Sequence, residues 1–245
     1  VKNYYFLSGL PRAGTTLFGY LLNKNKNIAV TAKSVLPDVL FALFKIKREE
    51  TYINFPDEKS FNAIYKNVFN NYFKNWKANT IIIRGPWGTK GNLILSKPII
   101  EKPKFIVLYR PVEECLRSFI NLYKIEDKDA YARDKLSITG IIGKALMSIE
   151  NIMKTKQDHI VIHYKDLIMH PEREIKKVYK YLNIKYTKIS FSVDGQFQNN
   201  GIKYDDTIFN KQPLHTLALG KVRRLKSLNT LSPQLIKTCR RLDLF

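Results

Sequence analysis

The stretch Tyr4-Tyr5-Phe6-Leu7-Ser8-Gly9-Leu10-Pro11-Arg12-Ala13-Gly14-Thr15-Thr16-Leu17 sets the frame for the whole chain. Its apolar, aromatic-rich start reads as a buried strand that breaks at Gly9-Leu10-Pro11. After Gly14, apolar residues return at helical spacing (Leu17, Tyr20, Leu21). Strand, glycine-bounded loop and helix together aim backbone N–H groups and a helix N-terminus at one anion. Gly9 and Gly14 stand five apart, the frame of a phosphate-binding loop, but Thr15 occupies the position where a nucleotide hydrolase carries Lys. Arg12 supplies a cation from inside the loop instead.

Working outward, Ile28-Ala29-Val30-Thr31 reads as a second strand, and a loop from Ala32 to Asp38 leads into an apolar helix through Leu40, Phe41 and Phe44. Residues 45–60 are polar and charged and read as a mobile excursion over the site. Phe61, Ile64, Tyr65, Val68, Phe69, Tyr72 and Phe73 recur at spacings of three and four, an amphipathic helix whose aromatic stripe belongs to the core. Thr80-Ile81-Ile82-Ile83 and Lys104-Phe105-Ile106-Val107-Leu108-Tyr109 are buried strands ending at Arg84 and Arg110, and Pro111 opens a helix faced by Val112, Cys115, Leu116, Phe119 and Ile120. One long helix is expected over about 134–154, a further strand over 159–164, and a helix after Pro171. From Tyr186 to about Leu219 the pattern fades into loop, with a turn at Asn199-Asn200-Gly201. Ser232-Pro233 opens a closing helix. Short apolar strands alternating with helices predict a single α/β domain over residues 1–245, with a parallel sheet covered on both faces.

Composition narrows the partners. The net charge of +21 attracts anions: nucleotides, acidic peptides, anionic glycans, nucleic acid or acidic lipid surfaces. Two cysteines, Cys115 and Cys239, are too few for a disulfide framework and lack metal-ligand spacing. No apolar run approaches the ~18 residues of a membrane span. The start at Val1 without Met points to a trimmed N-terminus, and a reducing, cytoplasmic setting is the expectation.

In an open parallel sheet, ligands bind beyond the C-terminal strand ends. Arg12, Arg84 and Arg110 all fall at such ends, so three guanidinium groups converge on one rim, suited to a polyanionic nucleotide. Mg-dependent phosphoryl transfer calls for a loop Lys and a strand-ending Asp. Here Thr15, Arg84 and Arg110 stand instead, which favours a metal-free reaction with cation-rich neutralisation, such as sulfuryl transfer.

These residues resemble the sulfotransferase family. Pro11-Arg12-Ala13-Gly14-Thr15-Thr16 resembles that family's 5′-phosphosulfate loop, Pro-(Lys/Arg)-Ser-Gly-Thr-Thr. Leu108-Tyr109-Arg110-Pro111, with Ser118 eight residues after the arginine, resembles its 3′-phosphate site. His163-Tyr164-Lys165-Asp166-Leu167, Pro171-Glu172 and Tyr181-Leu182-Asn183-Ile184 look like its Tyr-Glu-Asp-Leu…Pro-Glu…Phe-Leu-Gly stretch. The match covers residues 4–185, leaving 186–245 weakly matched. It implies a three-layer fold like that of P-loop-containing nucleoside triphosphate hydrolases. It also implies a metal-independent sulfotransferase acting on 3′-phosphoadenosine 5′-phosphosulfate and a hydroxyl or amine acceptor.

The implied roles follow the motifs. Pro11 to Thr16 hold the 5′-phosphate, Arg12 neutralises charge in the transition state, and Arg110 with Ser118 selects the 3′-phosphate. Tyr164 packs near the adenine. Arg84 takes the place of a Lys that touches the transferring group, a fork in place of a point charge. Where soluble relatives carry a His two residues after that Lys, this chain has Pro86; where protein-tyrosine relatives carry a Glu after the second strand, it reads Thr31-Ala32-Lys33-Ser34. Asp38 is therefore the candidate base, with His163 and His215 behind it. The basic run Gly220-Lys221-Val222-Arg223-Arg224-Leu225-Lys226 matches the family's nucleotide-closing Arg-Lys-Gly segment by composition. Together with Lys237, Arg240 and Arg241 it offers a landing strip for an acidic acceptor.

Two other classes compete. A basic nucleic-acid-binding protein needs exposed aromatics among its cations as stacking platforms, whereas these aromatics fall at core spacing. A P-loop small-molecule kinase conflicts with Thr15 in the lysine position.

Overall fold

The computed structural model describes residues 2–210, 215–222 and 231–245. The first half runs β1 (Asn3–Gly9), α1 (Thr15–Asn23), β2 (Ile28–Val30), α2 (Leu36–Ile46), α3 (Glu50–Asn54), α4 (Glu58–Tyr72), β3 (Thr80–Arg84), α5 (Lys90–Ser96) and β4 (Lys104–Tyr109). Then come α6 (Val112–Tyr123), α7 (Lys128–Leu136), α8 (Ile141–Lys154), β5 (Asp158–His163), α9 (Tyr164–Met169) and α10 (Pro171–Tyr181). Beyond these lie β6 (Ser192–Val193), β7 (Gln198–Asn199), β8 (Ile202–Lys203), α11 (Thr207–Asn210), β9 (Gly220–Lys221) and α12 (Pro233–Leu242).

Five strands form one sheet in the order β2-β3-β1-β4-β5, and every neighbouring pair is parallel. The β-branched and aromatic strands are buried almost throughout, as expected where helices cover both faces. This is the P-loop-like three-layer α/β architecture. The central strand sets the geometry of the site: Leu7 lies opposite both Arg84 and Ile106, and Gly9 lies opposite Leu108. Gly9 is required there, because a Cβ would sit 2.7 Å from the Leu108 carbonyl oxygen. The ends of β1, β3, β4 and β5 thus share one edge.

The aromatic stripe of α4 is largely core, with Tyr72 and the neighbouring Ile64 exposed. Tyr65, Phe69 and Phe73 are buried, and Phe69 meets Phe6 edge-on at 6.2 Å while Trp87 stacks on Phe6 at 4.4 Å. Such rings are spent on packing. The closing helix α12 begins as expected, with Ser232 Oγ accepting from Leu235 N at 3.3 Å. Asp243 then accepts from the Tyr109 hydroxyl at 2.7 Å and from Val112 N at 2.8 Å, tying the C-terminal end to β4 and to the start of α6.

Several expectations are corrected. Residues 45–60 are mainly helical: α2 continues to Ile46, α3 follows, and α4 starts at Glu58 with Asp57 accepting from Ser60 N at 2.9 Å. Polar composition misled here, because surface helices held by caps and pairs such as Lys47–Glu58 carry little apolar pattern. The helix expected over 134–154 is two helices broken at 137–140. A Cβ on Gly140 would come 2.1 Å from the Asp134 carbonyl oxygen, so a tight reversal occupies the break. The stretch Lys128–Lys154 has the length and hydropathy of a membrane span, but the break divides it and α8 buries Ile142, Leu146, Ile149 and Ile152 in the protein. Tyr164 does not end a strand; it opens α9. Residues 186–210 and 215–222 hold two-residue ladders, β6 with β9 and the β7–β8 hairpin, and the four-residue α11; the hairpin turn at Asn200 and Gly201 takes the expected positive φ angles.

Candidate functional site

The loop after β1 is held against the sheet by Leu10 N donating to the Leu108 carbonyl at 3.0 Å, and it turns sharply. Arg12 has φ 67° and Gly14 has φ 83°, both in the left-handed region. Gly14 is the N-cap of α1 and offers no side chain to satisfy the first-turn N–H groups, which Thr15, Thr16 and Leu17 bring to a cavity of about 480 Å³. Even a methyl group on Gly14 would lie 2.8 Å from the ring of Tyr164. Loop and tyrosine are therefore in direct contact.

The arginines converge as the strand ends require. Arg110 is buried; its Nη1 donates to the Arg12 carbonyl at 2.9 Å, its Nε meets Glu114 at 3.1 Å, and its guanidinium lies 4.3 Å over the Tyr164 ring. Arg12 Nε donates to Ser118 Oγ at 3.1 Å. Ser118 and Arg110 are thus linked through the loop. Arg84 Nη1 donates to the Ala32 carbonyl at 2.9 Å and reaches Thr16 Oγ1 at 3.5 Å, while its backbone N–H donates to Thr31 Oγ1. Burial lowers the Arg84 guanidinium to about 10, with Arg12 adding to the effect. Burial and the nearby Arg110 likewise lower Arg12. Both shifts mark positive charge held out of water beside its own kind, which a bound polyanion relieves.

The cavity brings together Arg12, Gly14, Thr15, Thr16, Arg84, Arg110, Ser118 and Tyr164. Pro11 and Ala13 shape the loop without lining it, and Ala13 is fully buried. Asp38 does not join them. It sits exposed in the first turn of α2, where a carboxylate favours the helix N-terminus, and is not part of the lining. His163 packs its ring against Tyr109 and Phe245. Lys237, Arg240 and Arg241 lie on α12 in a separate surface depression with Pro233 and Ile236. Of the basic run, Lys221 and Val222 line the cavity, and Arg223 to Lys226 fall outside the described residues.

Motif reasoning missed the opposite wall, Val193, Thr216, Leu217 and Ala218 from the irregular C-terminal part, and also Asn121, Leu122 and Ile168 beside the donor residues on α6 and α9. The α6 pair had a usable signal, lying on the turn after Ser118. His215, kept behind Asp38, is on that wall, with Nδ1 2.5 Å from an oxygen of buried Asp206.

The family profile of the sulfotransferase domain matches residues 2–200. The chain belongs to the sulfotransferase family. Solved structures agree at the level of fold. The sulfotransferase domain of the Synechococcus PCC 7002 olefin synthase superposes with a TM-score of 0.57 at 15% identity, covering 98% of this chain and 94% of that one. The sulfotransferase domain from the curacin biosynthetic pathway gives 0.54 at 13% identity, over 98% and 97%. A sulfotransferase from Alicyclobacillus acidocaldarius gives 0.52 at 11%, over 86% and 89%. Among curated protein sequences none matches this one. As a sulfotransferase the protein is a transferase enzyme, and its matched segment carries Arg12, Arg84 and Arg110 of the cavity. The family assignment favours the sulfotransferase reading over the nucleic-acid one, and Tyr65, Phe69 and Phe73 of the aromatic stripe are buried and offer no stacking platform.

Proposed function

We propose that this cavity takes 3′-phosphoadenosine 5′-phosphosulfate and that the protein transfers its sulfuryl group, without a metal, to a hydroxyl or amine acceptor. The observation that carries the reading is the chain Arg110–Arg12–Ser118, which couples a 3′-phosphate subsite to a 5′-phosphate loop within one cavity. The N–H groups of Thr15 and Thr16 and their hydroxyls hold the 5′-phosphate, which becomes the leaving group. Arg110 and Ser118 bind the 3′-phosphate, and Tyr164, already pinned between Gly14 and Arg110, offers its ring to the adenine.

As the bond from sulfur to the bridging oxygen lengthens, negative charge grows on that oxygen and on the sulfuryl group. Arg12 and Arg84 flank the loop and are fixed before reaction by bonds to Ser118, Ala32 and Thr16, so they stabilise that charge without reorganising. Guanidinium groups supply the neutralisation that Mg²⁺ supplies in phosphoryl transfer. The net charge of +21 favours an acidic acceptor and speeds its approach at low salt.

Calorimetry with 3′-phosphoadenosine 5′-phosphate tests the reading. The wild-type protein binds it in the presence of EDTA. Arg110→Ala loses roughly 2–5 kcal/mol, about 30-fold or more in affinity, the range for truncating one partner of a buried charge pair. Absence of wild-type binding at millimolar nucleotide would sink the proposal.

A further inference from the structure

The sulfotransferase positions that ordinarily supply a base are Pro86 and the Thr31–Ser34 segment in this chain. Asp38 is exposed outside the cavity, and His163 is packed under the C-terminus. We propose that His215, oriented by Asp206, is the general base that takes the acceptor's proton, an assignment that rests on the sulfonucleotide reading above.

The geometry singles out this imidazole. Among the described lining residues, the ionisable side chains are Arg12, Arg84, Arg110, Tyr164, Lys221 and His215. Only an imidazole among these accepts a proton near neutral pH. His215 Nδ1 lies 2.5 Å from Asp206 Oδ2 and 3.4 Å from the Tyr204 hydroxyl, and the Tyr204 ring packs edge-on against it at 5.2 Å. A carboxylate facing Nδ1 places the proton on that nitrogen and leaves the Nε2 lone pair to the acceptor. Asp206 is buried and so holds the ring from a fixed point. The arrangement is that of a nucleophile's base held by a third group.

The electrostatic surroundings suit the task. Burial lowers the His215 pKa below its usual 6.5, Arg84 and Arg12 lower it further, and Asp206 opposes them. Lys33, 5.8 Å from the Tyr204 ring, and Lys221 on the cavity wall add positive charge on the same side. The imidazole is therefore neutral at pH 7 and able to accept. It shares one cavity with Arg84 and Arg12, close enough for both to act on its charge.

The step balances without another reagent. The acceptor O–H proton goes to Nε2, the oxygen's electron pair forms the O–S bond, and the bridging S–O bond breaks with its pair going to the 5′-phosphate. Products are the sulfate ester, 3′-phosphoadenosine 5′-phosphate and a proton that leaves from the imidazolium. His215 is the catalytic residue, Asp206 a positioning residue.

Turnover is read as release of 3′-phosphoadenosine 5′-phosphate from the sulfonucleotide, with 2-naphthol and with water as acceptors. His215→Gln lowers kcat by about 10²–10⁴-fold, the usual share of general-base catalysis, and leaves nucleotide affinity within about threefold, as expected for a group acting only in the transition state. In wild type, kcat rises with pH through a value below 6.5; in the variant that acid limb is gone. Asp206→Asn moves the limb to lower pH and slows turnover, and Asp206→Glu restores part of the rate. Imidazole ¹⁵N spectra decide independently of any acceptor. A neutral Nδ1–H tautomer titrating below 6.5, and lower still in Asp206→Asn, supports the assignment. An Nε2–H tautomer, or wild-type turnover by His215→Gln, overturns it while the donor site stands. Failure of wild type to bind the nucleotide overturns the donor reading itself.

Discussion

The two walls of the cavity are built by different means. The donor wall hangs from strand ends: Gly9, Arg84, Tyr109 and His163 end parallel strands whose registers interlock through β1, and the loop between Gly9 and Gly14 is bonded to the backbone of β4. On the opposite wall, Val193 and Lys221 belong to the two-residue β6–β9 ladder and not to the central sheet. This wall is joined to the body by Tyr20 with Asp194, by Lys24 with the Ser192 carbonyl and by the buried side chains of Val193 and Phe197, and it is tied within itself by Gln196 with both backbone groups of Leu217 and by His215 with Asp206. Groups that neutralise charge in the transition state need fixed positions, and the sheet provides them. A wall held by a two-residue ladder, two buried apolar side chains and a few polar bonds opens locally at lower cost than the central sheet, which suits entry and exit of a nucleotide.

The contrast can be broken first from below. Phe69→Ala removes a buried ring from beneath β1 and Trp87 and is expected to cost about 3–5 kcal/mol of global stability, read as a lowered denaturant midpoint with unchanged m value. Gly14→Ala adds a methyl at φ 83° and 2.8 Å from Tyr164. It is expected to lose about 1–3 kcal/mol, and to weaken nucleotide binding as the loop shifts. Adding Tyr164→Leu returns part of the stability and none of the affinity, which separates the clash from the ligand contact.

Smaller changes probe the second wall. Because His215 has a lowered pKa, the unfolded chain binds its proton more tightly than the folded one. Its contribution to stability is complete above pH 6.5 and is lost as pH falls from there through the folded value. Thermal midpoints measured in that window fall less steeply for His215→Gln than for wild type. Asp194→Asn, at an exposed pair with Lys24, is expected to leave the midpoint nearly unchanged while speeding amide exchange at residues 192–199. A large drop in midpoint would mean that residues 192–199 unfold together with the central sheet.

The same contrast explains what could be read from the residues alone. Strands such as Thr80–Arg84 and Lys104–Tyr109 announce themselves by β-branched runs, and their arginine ends follow from the rule that ligands sit beyond the strands. The Asn200-Gly201 turn and the Ser232 cap are likewise local chemistry. The break at Gly140 is hidden because apolar spacing continues on both sides, and α3 because a five-residue helix with no buried residue has no stripe. The place of Asp38 after a loop suggests a base, but its position in the first turn of α2, outside the cavity, accounts for a carboxylate there. The pairing of His215 with Asp206 spans nine residues of irregular chain, and no period or motif encodes such a contact.

The central claim is that the donor wall reads a 3′-phosphate on an adenine nucleotide. Its most direct test is calorimetric titration, in EDTA, of 3′-phosphoadenosine 5′-phosphate against adenosine 5′-phosphate. Charge-assisted bonds from Arg110 and Ser118 predict a preference of about 100-fold or more for the bisphosphate, collapsing in Arg110→Ala. Equal affinity for the two nucleotides would contradict the account.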